Sequence, residues 1–302
     1  MDYSTLSMYV DNCINRYCEN LQCDSRLKDG MCYCLSSGKR LRPMLTLSIL
    51  ERLDPTQFDD LVDLCLVPEF VHTASLIIDD LPSFDNATER RGQKCTHLKY
   101  GEGFTYLLSM NLIIEAISII NSKVNVLKSR FDNAELFEKY QTQLTSLVTT
   151  MGMFGAIEGQ LLSTFHTNGS INVSEMDVNN VPKLSKKEIC NILIKKTSSF
   201  FELTLTIGWI FGGGELTKLD DVRSVARYLG LCYQINDDFE DYEEDLKHFS
   251  HNYVYHRGRA KAERDFSKYY RRCLRRAQRL NIDTWYLRTL LKSLDNKIFF
   301  KY

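Results

Sequence analysis

From Leu219 to Phe239 apolar residues return at steps of three and four, and the stretch from Lys186 to Phe211 does the same. That spacing lines one face of an α-helix, whereas a half-buried strand would alternate at every second residue. Alternating runs bounded by tight turns are scarce, and the 302 residues include only five prolines. No linker separates two compositions and no repeat period recurs, so the expectation is one all-α domain over residues 1–302. Ser185 to Glu188 and Thr217 to Asp220 have the spacing of a capping box. Phe211-Gly212-Gly213-Gly214 reads as a break between helices, and His166 to Lys183 as a long polar loop.

Lys and Arg number 38 against 39 Asp and Glu, so the overall charge points to neither a nucleic acid nor a membrane. The first residues, MDYSTLSMYVDNCINRYC, lack the uninterrupted apolar core of a secretory signal. Asp63 and Glu69 interrupt the longest apolar candidate, so no span across a bilayer is expected and a cytoplasmic location is. Five of the ten cysteines, Cys13, Cys18, Cys23, Cys32 and Cys34, crowd the start without a CxxC pair. They read as small buried hydrophobes rather than as a zinc site. Arg257 to Arg279 holds ten Lys and Arg, yet Phe266, Tyr269, Cys273, Ala277 and Leu280 keep helical spacing. The cations therefore read as the solvated face of a core helix, with no nucleic acid and no stable membrane insertion implied.

One stretch resists this ordinary reading. LIIDDLPSFDNATERRG, Leu76 to Gly92, ends an apolar run in three aspartates and follows them with two adjacent arginines. Pro82 disfavours helix at Leu81, which leaves Asp79 and Asp80 at a helix end and Asp85 on the loop beyond. A second acidic group, QINDDFED at 234 to 241, also follows an apolar helix, and Asp237 and Asp241 share a helical face four residues apart. Carboxylates grouped in this way are solvated, paired with cations, or wrapped around a metal. Oxygen donors suit hard ions, and Mg²⁺ is commonly held by a few carboxylates together with water and substrate phosphates. Cations occur nearby in GKRLRP at 38 to 43, where Pro43 suits the first turn of a helix, and at Arg90, Arg91, Lys195 and Lys196. Together the acids and bases describe a pocket for two polyanions.

The sequence resembles the trans-isoprenyl diphosphate synthases, and among them the geranylgeranyl diphosphate synthases. The motifs that carry the resemblance are GKRLRP at 38 to 43, EFVHTASLIIDDLPSFDNATERRG at 69 to 92, GQ at 159 to 160, KTS at 196 to 198 and QINDDFED at 234 to 241, in the family's order. The resemblance implies an antiparallel helix bundle around a deep central active-site cavity, normally a homodimer. It implies that an allylic diphosphate ionises with the help of three Mg²⁺ and is attacked by isopentenyl diphosphate, lengthening the chain by five carbons. Carried over by position, Asp79, Asp85 and Asp237 would bind the metals, with Asp80, Asp238 and Asp241 supporting through water. Arg90, Lys196, Thr197, Gln234 and Lys247 would hold the allylic diphosphate. Gly38, Lys39, Arg42, His72 and Arg91 would hold isopentenyl diphosphate, and His97 would be structural.

Product length would be set beside the helix ending at Asp79. Short-chain relatives often carry an aromatic ring five residues before that aspartate, where this chain has Ala74, followed by Ser75. The path is thereby left open, with Phe70 one turn deeper as the candidate floor and a twenty-carbon product as the expectation. Three departures support an alternative, a weakly active or noncatalytic subunit that tunes another synthase. Ser163 replaces an acid, Asn111 stands where an aspartate is common, and the segment after Asp241 offers only Lys247. Pro68 would either kink the Asp79 helix or mark its start.

Overall fold

The computed structural model describes residues 1–128, 134–152, 155–165, 183–247 and 251–299. Helices dominate these residues, and the one pair of strands among them is the hairpin of Glu89–Arg90 with Gln93–Lys94. Nearly all of the expected loop after His166 lies outside the described residues. Two compact units are present, Met1–Gln141 with Ile207–Gly214, and Thr142–Thr206 with Glu215–Tyr302.

The first unit contains α1 (Tyr3–Asn20), α2 (Ser25–Leu35), α3 (Leu41–Leu53), the short α4 (Phe58–Leu61), α5 (Leu66–Asp79), α6 (Thr96–Tyr100) and α7 (Glu102–Lys128). Asp2 caps α1 by accepting from the Thr5 amide at 2.9 Å. Pro43 lies in the first turn of α3, where a missing N–H costs nothing. Pro68 likewise falls in the first turn of α5, directly after a 3-10 turn at Val62–Cys65, so it marks the helix start and does not kink it. Leu66, Val67, Phe70, Val71, Ala74 and Ile77 of α5 are buried. Full burial of such a side chain stabilises by about 1.5–3 kcal/mol.

Two segments correct the expectation that nothing is long and apolar enough to cross a bilayer. Pro55–Asp79 and Glu102–Lys128 both are, by length and composition. Glu69 of the first segment is only 2% exposed and pairs at 2.5 Å with the buried Arg40. Such a buried pair is the mark of a core helix rather than of a lipid-facing one.

The second unit contains α9 (Ala156–Phe165), α10 (Lys186–Leu193), the greater part of α11 (Ser199–Phe211), α12 (Leu219–Glu240), α13 (Tyr242–Lys247), α14 (Tyr253–Arg257), α15 (Arg259–Arg279) and α16 (Trp285–Phe299). Helix α8 (Ala134–Thr150) and α11 each give residues to both units. Ile189, Leu193, Leu231, Ile235, Tyr253, Phe266, Tyr269 and Leu294 form one core from α10, α12, α14, α15 and α16. On α15 Phe266, Tyr269, Cys273, Ala277 and Leu280 are buried, as their spacing requires, while Arg271, Arg272 and Arg275 are exposed.

The capping box at Ser185 and Glu188 is present with both of its hydrogen bonds. That at Thr217 is not. A 3-10 turn at Leu216–Lys218 delays the start of α12, Thr217 turns to Glu215, and Asp220 pairs with Arg223. The glycine break after Phe211 is observed. Of the five early cysteines only Cys13 is buried and Cys23 is exposed, so the buried-hydrophobe reading holds for one.

Candidate active site

In the first unit the charged residues gather around the end of α5. Asp79 is the last residue of the helix and Asp80 its cap. The following loop folds back, with the Asp85 amide donating to the Asp79 carbonyl at 2.9 Å and the Ala87 amide to that of Asp80 at 3.2 Å. Asp85 is exposed and Asp79 half-buried. Asp80 differs, being 1% exposed and accepting from Arg90 Nε at 2.8 Å. Asp80 is turned inward and neutralises Arg90, which fixes the hairpin against the helix end.

Arg91 adopts a left-handed backbone, φ 56°, at the hairpin turn. Its guanidinium donates to the Ser37 carbonyl at 2.7 Å and lies so close to Gly38 that a Cβ there would stand 2.5 Å from Arg91 Nη1. Gly38 also has φ 152°, a backbone that side chains rarely adopt, and its bareness leaves room for the Arg91 guanidinium. The GKR loop and the arginine pair are thereby joined, with a small cavity of about 40 Å³ lined by Ser37, Thr73, Asp80, Arg90 and Arg91. Lys39 is exposed and Arg42 buried. His72, on α5, is pushed well below its ordinary value by burial and by Arg42, Arg91 and Arg90. A neutral imidazole among three cations is an anion site that can donate or accept a hydrogen bond. Arg40, which sequence reasoning passed over, is the buried anchor of this loop; it donates to Glu69, to the Leu35 carbonyl at 2.6 Å and to the Ser37 carbonyl at 3.3 Å.

Further back on α5, Ala74 and Phe70 are buried one turn apart. The Ser75 hydroxyl is turned onto its own helix, donating to the His72 carbonyl at 2.8 Å. Asn111 donates to the Met31 sulfur at 3.5 Å, and His97 is buried.

In the second unit the KTS motif is a π turn, Ile194–Ser198, closed by the Ser199 amide donating to the Ile194 carbonyl. Two glycines make room for it. A Cβ on Gly159 of α9 would overlap the Lys196 backbone nitrogen, and one on Gly230 of α12 would overlap the Ser198 hydroxyl. Lys195 is taken by Glu158 at 2.5 Å, while Lys196 is half-buried with no ion pair among the described residues. Thr197 Oγ1 donates to Gln234 Oε1 at 2.7 Å, and Gln234 Nε2 donates to Asp238 Oδ1 at 2.8 Å. The Thr197 hydroxyl hydrogen and the Gln234 amide are engaged with each other and with Asp238, so they position the turn against α12.

Asp238 is 1% exposed, and its other oxygen accepts from the Tyr253 amide at 2.5 Å. Burial pushes it up to about 8, against the opposing pull of those two donors. Like Asp80 it is turned inward onto its partners. Asp237 is half-buried, Asp241 is exposed, and the Asp241 amide donates to the Asp237 carbonyl at 2.9 Å. Asn252 completes the arrangement, donating to the Asp238 carbonyl and to Asp245, each at 2.8 Å, while its oxygen caps α14. Its signal was an asparagine at a helix start. The Lys247 side chain lies outside the described residues, and Ser163 is half-buried on α9.

Asp79 and Asp85 in the first unit, and Asp237 and Asp241 in the second, are half-buried or exposed carboxylates. No three acidic, histidine or cysteine side chains among the described residues form a closed cage. Within each unit the oxygen donors suit a hard ion such as Mg²⁺, which keeps water and substrate phosphates in most of its positions.

The chain resembles known proteins along most of its length. It is 32% identical over 209 residues to the chloroplastic geranylgeranyl pyrophosphate synthase of Capsicum annuum, a match that covers 68% of this chain and 50% of that protein. It is 29% identical over 236 residues to the farnesyl diphosphate synthase of Geobacillus stearothermophilus, covering 78% and 72%. The chain therefore spans about half the length of the pepper protein it matches. In fold it is similar to an FPP/GFPP synthase of Zymomonas mobilis, with a TM-score of 0.78 at 22% identity over 96% of this chain and 97% of that one. A geranyltranstransferase of Thermotoga maritima gives 0.72 at 24% identity over 97% and 98%. The family model for polyprenyl synthetase matches residues 24–254, and the chain belongs to that family.

Proposed function

We propose that the protein is a chain-elongating trans-prenyltransferase that condenses isopentenyl diphosphate with an allylic diphosphate, dimethylallyl, geranyl or farnesyl, to give geranylgeranyl diphosphate. The observation that carries this reading is the convergence of Arg42, Arg90 and Arg91 on a neutral, half-buried His72 beside an acidic helix end. In this reading Arg91, Arg42, Lys39 and His72 hold isopentenyl diphosphate, with Gly38 letting Arg91 approach. Arg90, held by Asp80, and Lys196, held by the π turn, bind the allylic diphosphate, with Lys247 completing its contacts. Three Mg²⁺ ions, held by Asp79, Asp85 and Asp237 with Asp241 through water, would supply positive charge to the departing diphosphate. The chain's own contribution is to fix cations and carboxylates before the substrate arrives, so that little reorganisation is left to the reaction.

The relatives named above include both geranylgeranyl and farnesyl synthases. Product length in this reading rests on Ala74, which is small and buried, with Phe70 as the floor. A homodimer is supported by the exposed apolar stripe of α7, where Tyr106, Leu107, Met110 and Ile114 are 43–64% exposed. Met110→Glu should then lower the sedimenting mass by half. The deciding experiment is incubation of purified protein with isopentenyl diphosphate, each allylic diphosphate and Mg²⁺, with identification of the product. A twenty-carbon product supports the full reading, a fifteen-carbon product overturns the length assignment alone, and no product overturns the activity.

A further inference from the structure

Leu66, Phe70 and Ala74 stand one turn apart on α5 and are all buried, forming a line that leads away from Asp79. The Phe70 ring does not end that line against the backbone. It meets Tyr17 of α1 edge to face, with centroids 4.8 Å apart and planes at 65°. One turn further from Asp79 lies a cavity of about 300 Å³, lined by Tyr17 and Leu66 together with Cys13, Leu21 and Ile119. Its rim is polar, since Arg16 and Lys123 both pair with Asp63 there. Tyr17 is therefore shared, touching Phe70 on one side and lining the cavity on the other. Burial and the neighbouring Glu115 carboxylate push its hydroxyl well above the ordinary tyrosine range, so the ring is held neutral.

We infer that Tyr17 is a specificity-determining residue, the second half of a two-ring wall that stands between Ala74 and a cavity that is already formed. The inference rests on the prenyltransferase reading and deepens it, and the ligand is the apolar tail of a prenyl diphosphate longer than twenty carbons. Removing Phe70 alone leaves the Tyr17 ring across the way. Removing Tyr17 alone leaves Phe70 in place. Only loss of both rings opens the cavity to Ala74, and a cavity of this size has room for several further methylene groups without overpacking.

The test compares wild type, Phe70→Ala, Tyr17→Leu and the double variant, with folding of each checked by helical circular dichroism. Two quantities are read: the length of the longest major product, and calorimetric affinity for fifteen- and thirty-carbon prenyl diphosphates. Tyr17→Leu should match wild type in product length. The double variant should lengthen the product by at least one five-carbon unit beyond Phe70→Ala and bind the thirty-carbon ligand at least tenfold tighter, with affinity for the fifteen-carbon ligand unchanged. Adding Leu66→Trp, which fills the cavity, should reverse both gains. If the double variant equals Phe70→Ala in both readouts while wild type elongates normally, Tyr17 is not part of the wall. A wild type that neither elongates nor binds either ligand instead overturns the activity on which the inference stands.

Discussion

The two acidic clusters share the dipeptide Asp-Asp, and the structure treats its second member in opposite ways. Asp80 and Asp238 are each 1% exposed. Asp80 has a cation, Arg90, brought by a hairpin ten residues further along. Among the described residues Asp238 has neutral donors, the Gln234 amide and the Tyr253 backbone. A buried carboxylate is costly unless its charge is met, and hydrogen bonds from neutral groups meet it less fully than a guanidinium does. The pKa of Asp238 accordingly rises to about 8 under burial. One cluster is built on opposite charges and the other on amides, although the same two letters introduce both. The neighbouring Asp79 and Asp237 are half-buried instead, because adjacent residues point about 100° apart around a helix.

The largest expected effects would show that the clusters nevertheless serve one reaction. Asp79→Ala and Asp237→Ala should each lower turnover by at least about 10²–10³-fold, the loss typical of one preorganised charge-stabilising group, with the helical spectrum unchanged. Near-normal turnover in one of them would assign the chemistry to the other cluster alone. Next come the arginines. Arg91→Ala should raise chiefly the Michaelis constant for isopentenyl diphosphate, and Arg90→Ala that for the allylic substrate, each by roughly 10–150-fold for a charge-assisted contact of about 1.5–3 kcal/mol. Equal effects on both substrates would dissolve the division between them.

Stability tests the contrast itself. Asp80→Asn should cost about 1–3 kcal/mol in denaturant unfolding, less than for a fully buried pair because the Arg90 side chain is 38% exposed. Asp238→Asn should cost less than that, since no cation is left behind; a larger loss at Asp238 would reverse the comparison. The smallest effect concerns pH. His72 is depressed below the unfolded value of about 6.5, so the unfolded chain binds the extra proton first as pH falls. Its contribution is complete above about pH 6.5 and is lost below it, with a slope of at most about 1.4 kcal/mol per pH unit. Melting curves from pH 7 to 5 should therefore fall more steeply for wild type than for His72→Gln, and parallel curves would remove His72 from the charged corner.

Much of this was legible in the sequence where periodicity or a motif carried it. The helices at Lys186–Phe211 and Leu219–Phe239, the helix end at Asp79 and the placement of Asp85 on the loop follow from apolar spacing and Pro82. Less legible was which way a side chain turns. Asp80, Asp238, Thr197 and Gln234 stand in the motifs as expected ligands, and the inward partners that the structure also gives them come from distant or backbone positions. Arg40 and Glu69 were hidden for the same reason, each being an ordinary charged residue until the fold brings them to 2.5 Å. Asn252 lies beyond the matched motifs, and its contacts with Asp238 and Asp245 depend on the path the chain takes back to α12.

The π turn at Ile194–Ser198 carries a further consequence for which lengths of chain can be tolerated. An α-helix is a screw, and one surplus residue in a turn advances everything after it by about 100° relative to a regular thread. Thr197 reaches Gln234, and the turn nests against Gly159 and Gly230, only at that offset. Losing a single residue between Leu193 and Ser199 would restore a regular screw while rotating the hydroxyl off its partner and driving other side chains at the two glycines. Exposed connections absorb insertions and deletions cheaply. Here an inherited change in count would be felt at once in a segment whose individual letters could vary, so the constraint on this stretch is one of number as well as of chemistry.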